Sequence, residues 1–455
     1  MRRGICRTVF TLLLFAQGGV LSSQPSSLLS LDQCIELGLK NSRVLHSSQM
    51  KSKAADARSG EVNAARLPSL KFIGTYTHLS DVPPGMITIP KDFIAPGIPA
   101  QSSSSILSPT ILDNYNLRLS LQQPIFTGFR IQGSADMAEY AAKAASEESN
   151  ADRTELVYNI RDAYWGLYKA GKFKNVVDEN LEQVLVHLKD AINLMNEGMA
   201  TTNDVLRVQL QVSNVRLLQI DADNNVQIAM IRLNNVLGVP LETRIELASE
   251  PDTMAIGLHV QELYEPAGLV QTAIKSRPEM KAMEYRVEAS RSAVTVAKSG
   301  WFPQIYLLGN YYSSKPNPRI FPGLDVFKET WDVGVSATWD IWNWGSTMYQ
   351  ARQAYAQVEQ ASDALASLRD AVTLEVTRNV LNVRQSRERI RVSVEAVAQA
   401  TENHRITGEK FKLGAALNAE MLDAESAVLQ AKWNYIQALV DGELASARLA
   451  KSLGK

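Results

Sequence analysis

This chain of 455 residues contains few cysteines and has almost no net charge. Lysine and arginine number 47, and aspartate and glutamate 48, which leaves a formal net charge of −1 at pH 7. Nucleic-acid binding requires a basic surface that neutralises phosphates, so this balance argues against a nucleic-acid partner. The only cysteines are Cys6 and Cys34. If Cys6 leaves with an export signal, no intrachain disulfide can form.

Long apolar runs and the residue patterns of enzymes are also missing. No stretch after the N-terminus has 18 consecutive apolar residues, so the sequence predicts no membrane-spanning helix. No glycine-rich phosphate loop is present, and the histidines show no metal-ligand spacing. These histidines are His46, His78, His187, His259 and His404. The sequence therefore predicts no catalytic residue, no metal site and no cofactor.

The N-terminus has the three-part pattern of a secretory signal. In MRRGICRTVFTLLLFAQGGVL, three arginines precede the apolar run at 9–15, and small residues follow it. The run is too short to span a bilayer. The pattern predicts an exported protein with a signal peptide over residues 1–23, removed after Gly19, Ser22 or Ser23. The alternative is a buried first helix.

Motifs recur along the chain at two fixed offsets, which indicates an internal duplication. Pro68 of RLPSL and Pro303 of WFPQI are 235 positions apart, whereas Gly198 and Gly414 are 216 apart. The second offset also relates PIFTG to DIWNW and LNNVLG to LAKSLG. The difference of 19 falls in a loop rich in proline and serine. The chain therefore divides into a first repeat at 24–240, a linker at 241–266 and a second repeat at 267–455.

Each repeat is predicted to contain a helix, two strands separated by a loop, and a long helical hairpin. Proline, which breaks helices, is absent from 125–239 and from 323–455. The strands are predicted at about 69–79, 114–123, 304–313 and 330–340. The hairpins are predicted at about 128–238, with an elbow at Gly198, and 345–453, with an elbow at Gly414.

Apolar residues within the hairpins follow a seven-residue rhythm. Steps of three and four are typical of a coiled-coil seam. In the first hairpin the seam consists of Val177, Leu181, Val184, Leu188, Ala191 and Met195. In the second it consists of Val376, Val380, Val383, Ile390, Val394 and Val397, with Arg387 filling the slot between Val383 and Ile390. A first helix of nearly 70 residues would be roughly 100 Å long, more than a compact domain can use.

The strands alternate apolar and polar residues, as a transmembrane β-barrel requires. NYNLRLSLQQ places Leu117, Leu119 and Leu121 on one face, and WDVGVSATWD does the same with Val333 and Val335. The alternative is a soluble hairpin over a core. Aromatic residues flank the strands like a membrane-interface girdle: Phe126, Phe129, Trp301, Phe302, Trp339, Trp342 and Trp344. Four strands cannot close a barrel, so several chains must contribute.

These features together resemble the TolC family of outer-membrane efflux channels. The resemblance rests on the duplicated unit, on QQPIFTGFR, on the elbows GMATTNDVL and GAALNAEML, and on LNNVLG. It implies a mixed α/β membrane protein of the bacterial outer membrane. Three copies would form a twelve-stranded β-barrel, four strands per chain, continuous with an α-helical barrel of coiled-coil hairpins in the periplasm. The linker and the helices at each repeat's start would belt the tunnel.

The resemblance also implies a function. The homotrimer would be the exit duct of a tripartite efflux or type I secretion system, passively conducting substrates that a periplasmic adaptor and an inner-membrane transporter deliver. The sequence leaves the cargo and the identity of both partners open. The competing interpretation is a structural coiled-coil envelope protein without a pore.

The elbows would be the tips of the tunnel, where the adaptor docks, with Gly198, Asp204, Gly414 and Phe411 as candidate residues. Asp204 can equally serve only the dipole of the helix that it starts. In the second elbow, Glu420 and Asp423 match the positions of a ring of acids that faces the closed pore. Relatives close the tip with a Tyr and an Arg where this chain has Phe411 and Ala416. That departure favours closure by apolar packing.

Overall fold

The computed structural model describes residues 27–81, 83–88, 104–108, 110–248, 250–251 and 266–455. The predicted signal peptide and residues 252–265 of the predicted linker lie outside this part of the chain. The first described elements are β1 (Ser27–Leu29), α1 (Leu31–Asn41), α2 (Arg43–Ala64), β2 (Ser69–His78), β3 (Gly85–Thr88), β4 (Ser104–Ser108), β5 (Asp113–Phe126), α3 (Arg130–Asn196) and α4 (Thr202–Leu237). They are followed by β6 (Ile245–Leu247), α5 (Pro266–Ser276), α6 (Pro278–Lys298), β7 (Gln304–Lys315), β8 (Lys328–Thr338), α7 (Ser346–Lys412) and α8 (Asn418–Ser452).

Two helices are unusually long. α3 and α7 have 67 residues each, about 100 Å at the helical rise of 1.5 Å per residue. A short elbow follows each of them and leads to a returning helix of 36 residues (α4) or 35 residues (α8). None of these four helices contains a proline. Their length is therefore consistent with uninterrupted backbone hydrogen bonding.

Four antiparallel strands form one sheet in the order β2-β5-β7-β8. One row across this sheet consists of Phe72, Leu119, Tyr311 and Trp331. The adjacent row consists of Lys71, Ser120, Asn310 and Asp332. Since successive residues point to opposite faces, the alternation expected for single strands runs in phase across all four. The sheet has one apolar and one polar face.

The two faces of the sheet differ in their contacts as well as in composition. Phe72 and Trp331 on the apolar face are 70% and 72% exposed. On the polar face, the Ser120 hydroxyl donates to Asn310 Oδ1 (2.7 Å), and Asn310 Nδ2 donates to Asp332 Oδ1 (2.8 Å). Large apolar side chains are thus left uncovered while polar groups bond laterally, the reverse of a sheet that packs over a core.

The described residues form two compact units. Of the described residues, the elbow unit draws on 27–41, 159–251 (without 249) and 391–440. The sheet unit draws on the described residues within 42–158, and on 266–390 and 441–455. Both units contain segments from each of the two predicted repeats, because a repeat is a stretch of sequence whereas a unit consists of segments that pack together. The elbow unit also contains a parallel pairing of β1 with β6.

Each unit has its own apolar core. In the elbow unit, Val177, Val184 and Ala191 of α3 are fully buried against valines of α4. The seven-residue rhythm therefore predicts the buried face of α3 correctly. In the sheet unit, the residues of α7 that are buried on the same rhythm are Val376, Val380 and Val383. Farther along α7 the rhythm does not give burial, and Val394 is 50% exposed. Burial needs a facing neighbour, which spacing within one helix does not supply.

Candidate functional site

Both elbows are built in the same way. Gly198 and Gly414 have φ angles of 73° and 69°, in the left-handed region that glycine adopts readily. Each glycine N–H donates to the carbonyl three residues earlier, and the next N–H donates to the carbonyl five residues earlier. These two bonds constitute a Schellman motif, which ends a helix by satisfying its last carbonyls.

The acid six residues after each glycine accepts a backbone hydrogen bond. Asp204 Oδ2 accepts the Thr201 N–H at 3.0 Å, and Thr201 Oγ1 accepts the Asp204 N–H at 3.2 Å, a complete capping box. Glu420 Oε2 likewise accepts the Leu417 N–H at 3.1 Å. The hydrogen bonds from the Thr201 hydroxyl and backbone lower the pKa of Asp204. The helix-starting role that the sequence left open for Asp204 is therefore present.

The two candidate acids of the second elbow are exposed. Glu420 and Asp423 lie within the first two turns of α8, three residues apart and therefore on neighbouring positions of one helix face. Glu420 uses one carboxylate oxygen on the backbone of Leu417. Their place in an acidic ring stays a prediction.

Phe411 and Ala416 take part in apolar packing. Phe411 is 6% exposed and belongs to the core of the elbow unit, and Ala416 packs against that core. The Phe411 ring meets the His187 ring edge-on, with centroids 4.9 Å apart. The two elbows also touch, because Asn418 Nδ2 donates to the Asp204 carbonyl oxygen (3.1 Å). Apolar contacts thus surround the position where relatives are expected to carry a polar link.

A groove of about 770 Å³ lies between α3 and α7 in the elbow unit. Acidic side chains predominate among its charged residues, which are Glu179, Glu182, Asp190, Glu402, Glu409, Arg405 and Lys412. Arg405 binds Glu402 and Glu409 at 2.8 and 2.6 Å, and these carboxylates raise its pKa. The guanidinium is already neutralised, so the groove presents an acidic surface beside a buried aromatic ring.

Sequence reasoning missed one buried pair beside this groove. His187 of α3 and Glu425 of α8 are 3% and 0% exposed, and His187 Nδ1 lies 3.1 Å from Glu425 Oε1. The available signal was positional. Glu425 follows Met421 by four residues and precedes Val428 by three, so it occupies an apolar slot of the helical seam. A charged residue in such a slot marks a specific partner.

The predicted interface aromatics gather at the ends of the strands in the sheet unit. Phe126, Phe129 and Phe302 pack edge-to-face, with centroids 5.5 to 6.3 Å apart. Trp339 Nε1 donates to the Trp301 carbonyl oxygen (3.3 Å). The remaining two, Trp342 and Trp344, meet edge-to-face with ring centroids 5.6 Å apart and are 75% and 85% exposed. Such exposure of indole rings suits an amphipathic interface.

Neither a metal-binding cluster nor a membrane-spanning helix is found among the described residues. Histidine, cysteine, aspartate and glutamate side chains do not meet in groups of three that could hold a metal ion in this part of the chain. Among the described helices, none has both the length and the apolar character needed to cross a membrane.

Comparison with known proteins gives consistent matches along the chain. A family model described as "Outer membrane efflux protein" matches residues 34–239 and 269–455. Protein CyaE of Bordetella pertussis is 23% identical over 409 residues, covering 90% of this chain and 80% of that protein. "Toxin and drug export protein A" of Aggregatibacter actinomycetemcomitans is 23% identical over 327 residues, covering 68% and 67%.

Solved structures share the fold. The outer-membrane channel OprN superposes with a TM-score of 0.76 at 20% identity, covering 93% of this chain and 89% of that chain. At this identity the likeness concerns the fold alone.

Proposed function

Because the chain belongs to the outer membrane efflux protein family, we propose that it is the outer-membrane exit duct of an efflux or type I secretion system. The observation that carries this proposal is the two-faced sheet. Its apolar face is exposed, its polar face bonds laterally, and it is attached to helices of about 100 Å. A duct through a membrane needs such a lipid-facing exterior and a wet interior.

The edges of the sheet support assembly as a homotrimer. β2 and β8 each have a neighbour on one side only among the described strands. Unpaired edges cannot persist in lipid, where no water replaces the missing hydrogen bonds. Pairing β2 of one copy with β8 of the next would give a closed barrel of twelve strands for three copies, and the helices would continue it as a helical barrel.

Backbone geometry supports the duplication. Eight residues of the described chain have positive φ, and they form four pairs separated by 216 positions. The pairs are Gly128 and Trp344, Phe129 and Gly345, Gly198 and Gly414, and Gly238 and Gly454. Left-handed residues are uncommon, so their recurrence at one spacing marks the same turns in both repeats. The proposed repeats span 24–240 and 267–455, with 241–266 as the equatorial linker.

Location follows from the same features. We assign the protein to the bacterial outer membrane, with the predicted signal at 1–23 directing export and the aromatic residues at the strand ends lying at one interface. The long hairpins would extend into the periplasm. There the elbows, with Gly198, Asp204, Gly414 and Phe411, would form the tips that a periplasmic adaptor binds.

The elbow groove is the proposed adaptor contact. Its acidic lining and buried Phe411 suit a helical partner that presents basic and apolar side chains. The adaptor would in turn bind an inner-membrane transporter, which selects the cargo. Substrates cross the duct unchanged, so no catalytic residue or cofactor is assigned.

The acids Glu420 and Asp423 are proposed as the cation-attracting ring of the closed tip. Three copies would bring six carboxylates toward one axis, where mutual repulsion favours bound cations. Single-channel conductance of the purified full-length protein in planar bilayers tests both the duct and the ring. We expect small, stable, cation-selective steps that Mg²⁺ reduces from the elbow side.

The matched variants separate the ring from general charge effects. E420Q/D423N should lose cation selectivity and Mg²⁺ sensitivity. E359Q/D363N removes two exposed acids of α7 at similar spacing outside the elbow and should change neither. Equal selectivity of wild type and E420Q/D423N would reject the ring while leaving the duct.

The rival function is a structural coiled-coil protein of the envelope. It accounts for export and long helices, but not for a sheet whose apolar face is exposed. If a folded oligomer gives no conductance steps even after both elbows are truncated, the duct is excluded and the structural role is favoured.

A further inference from the structure

His187 and Glu425 form a buried polar contact between the two helical hairpins of the elbow unit. His187 lies on α3 of the first hairpin and Glu425 on α8 of the second. Their side chains are 1% and 0% exposed, with Nδ1 and Oε1 3.1 Å apart. None of the ring nitrogens or carboxylate oxygens has a well-aligned hydrogen bond within the described chain. Each polar group therefore has the other as its close polar neighbour.

Within the described residues, no third side chain makes a hydrogen bond to the pair. The Phe411 ring closes one side of His187, and Met421 precedes Glu425 by one turn. Arg405, one of the two cationic side chains that line the groove, is already bound by two glutamates. The pair is thus a polar contact enclosed in an apolar seam, and the groove borders only its histidine side.

The rest of the α3–α8 seam has a different character. Farther from the elbows, the Phe173 and Trp433 rings pack at 4.4 Å, and Lys432 binds Glu179 at 2.6 Å with the glutamate side chain 56% exposed. An exposed ion pair contributes little to holding two helices together. The buried pair differs from this exposed ion pair, because both of its groups reach water only when the hairpins separate.

A buried polar pair has a particular energetic consequence. Its mutual attraction roughly offsets the loss of hydration, whereas apolar residues of the same volume often hold an interface more tightly. Loss of one partner is worse, because the other stays buried without compensation. Such a pair fixes one arrangement of two helices, yet releases them at little net cost once water reaches both groups.

We propose that the His187–Glu425 contact is a release latch between the two hairpins, which keeps the elbows together in the closed duct and separates when the duct opens. The inference rests on the proposed function, since it assigns the latch to the opening of that duct. The latch acts within one chain and across the two repeats. It requires no ligand.

Open probability in planar bilayers tests the latch, with the full-length protein and its variants purified as folded oligomers. H187L and E425M each leave the other polar group buried without a partner and should raise open probability about tenfold or more. H187L/E425M replaces both groups by apolar side chains of similar volume, and should lower open probability below that of wild type. A general structural defect would instead raise opening in all three.

A matched control lies within the first hairpin. Lys174 and Asp178 of α3 form an ion pair at 2.9 Å that also reaches Asp223 of α4. Both partners of this contact belong to one hairpin, so K174Q/D178N should leave open probability at the wild-type level. Melting temperature and oligomer yield identify any variant that is simply misfolded.

The outcomes are distinguishable. If wild type conducts and H187L/E425M opens as often as wild type or more often, the latch proposal is rejected and the proposed duct is retained. The double variant decides even if both single variants fail to fold, because it leaves no buried polar group unpaired. If neither wild type nor a folded oligomer with both elbows truncated gives conductance steps, the proposed function itself is rejected.

Discussion

The two elbow glycines should respond differently to the same substitution. Both have φ near 70°, where an alanine is disfavoured by about 1–2 kcal/mol relative to glycine. A Cβ at Gly198 would meet no atom within 4 Å, whereas a Cβ at Gly414 would lie 2.8 Å from Met199 Cε. G414A must therefore displace a methionine side chain as well as strain the turn.

The expected magnitudes follow from these contacts. Alanine also reduces the freedom of the unfolded chain, which returns about 0.4–1 kcal/mol. G198A should then destabilise the protein by about 1 kcal/mol, and by at most about 1.6 kcal/mol. G414A should add a further amount of about 1 kcal/mol, limited because methionine is flexible. The control is G171A, in the middle of α3 with open space around it. It should stabilise by about 0.5–1 kcal/mol.

Thermal melting in detergent, monitored by the circular dichroism signal of the helices, ranks the melting temperatures of the four proteins. We expect G171A to melt highest, then wild type, G198A and G414A. Limited proteolysis should show the added cleavage of G198A and G414A at the elbows and not elsewhere. G198N serves as a second control, because asparagine tolerates the left-handed region better than alanine. A G414A protein that melts above wild type would refute the reasoning.

Two further predictions concern the first elbow and the sheet. D204N should remove the part of the elbow's stability that depends on the ionised Asp204 carboxylate. Folding lowers the pKa of Asp204. The stabilisation by this carboxylate is therefore present above the ordinary carboxyl pKa and is lost as pH falls through the lowered pKa of the folded protein. Melting curves from neutral to acidic pH should converge for wild type and variant, and parallel curves would count against the capping role. V333R places a charge on the apolar face of β8 and should destabilise membrane insertion by about 2–4 kcal/mol, whereas S336R on the polar face should insert normally. Yield of the heat-resistant oligomer from membranes measures both, and equal yields would contradict the assignment of the two faces.

Local patterns in the sequence were sufficient for the elements. The alternation of residues 115–121 and 331–337 predicts two-faced strands, because pleating alone sends neighbouring side chains to opposite faces. The predicted strand at 304–313 is observed at Gln304–Lys315, and that at 69–79 at Ser69–His78. Gly198 and Gly414 mark the elbows, since a left-handed turn after a helix favours glycine. Each of these depends on residues within one turn or one strand.

Contacts between distant segments were decided only by the tertiary structure. Nothing near His187 indicates that Glu425 will lie 3.1 Å away, because the two residues come together only when α3 and α8 pack. The same limit explains Val394, whose spacing matches a buried seam although no described neighbour covers it. The sequence by itself determined which face of each element is apolar, since side-chain direction follows from local backbone geometry. Packing determined which of those faces meet, and so placed a polar pair inside an apolar seam.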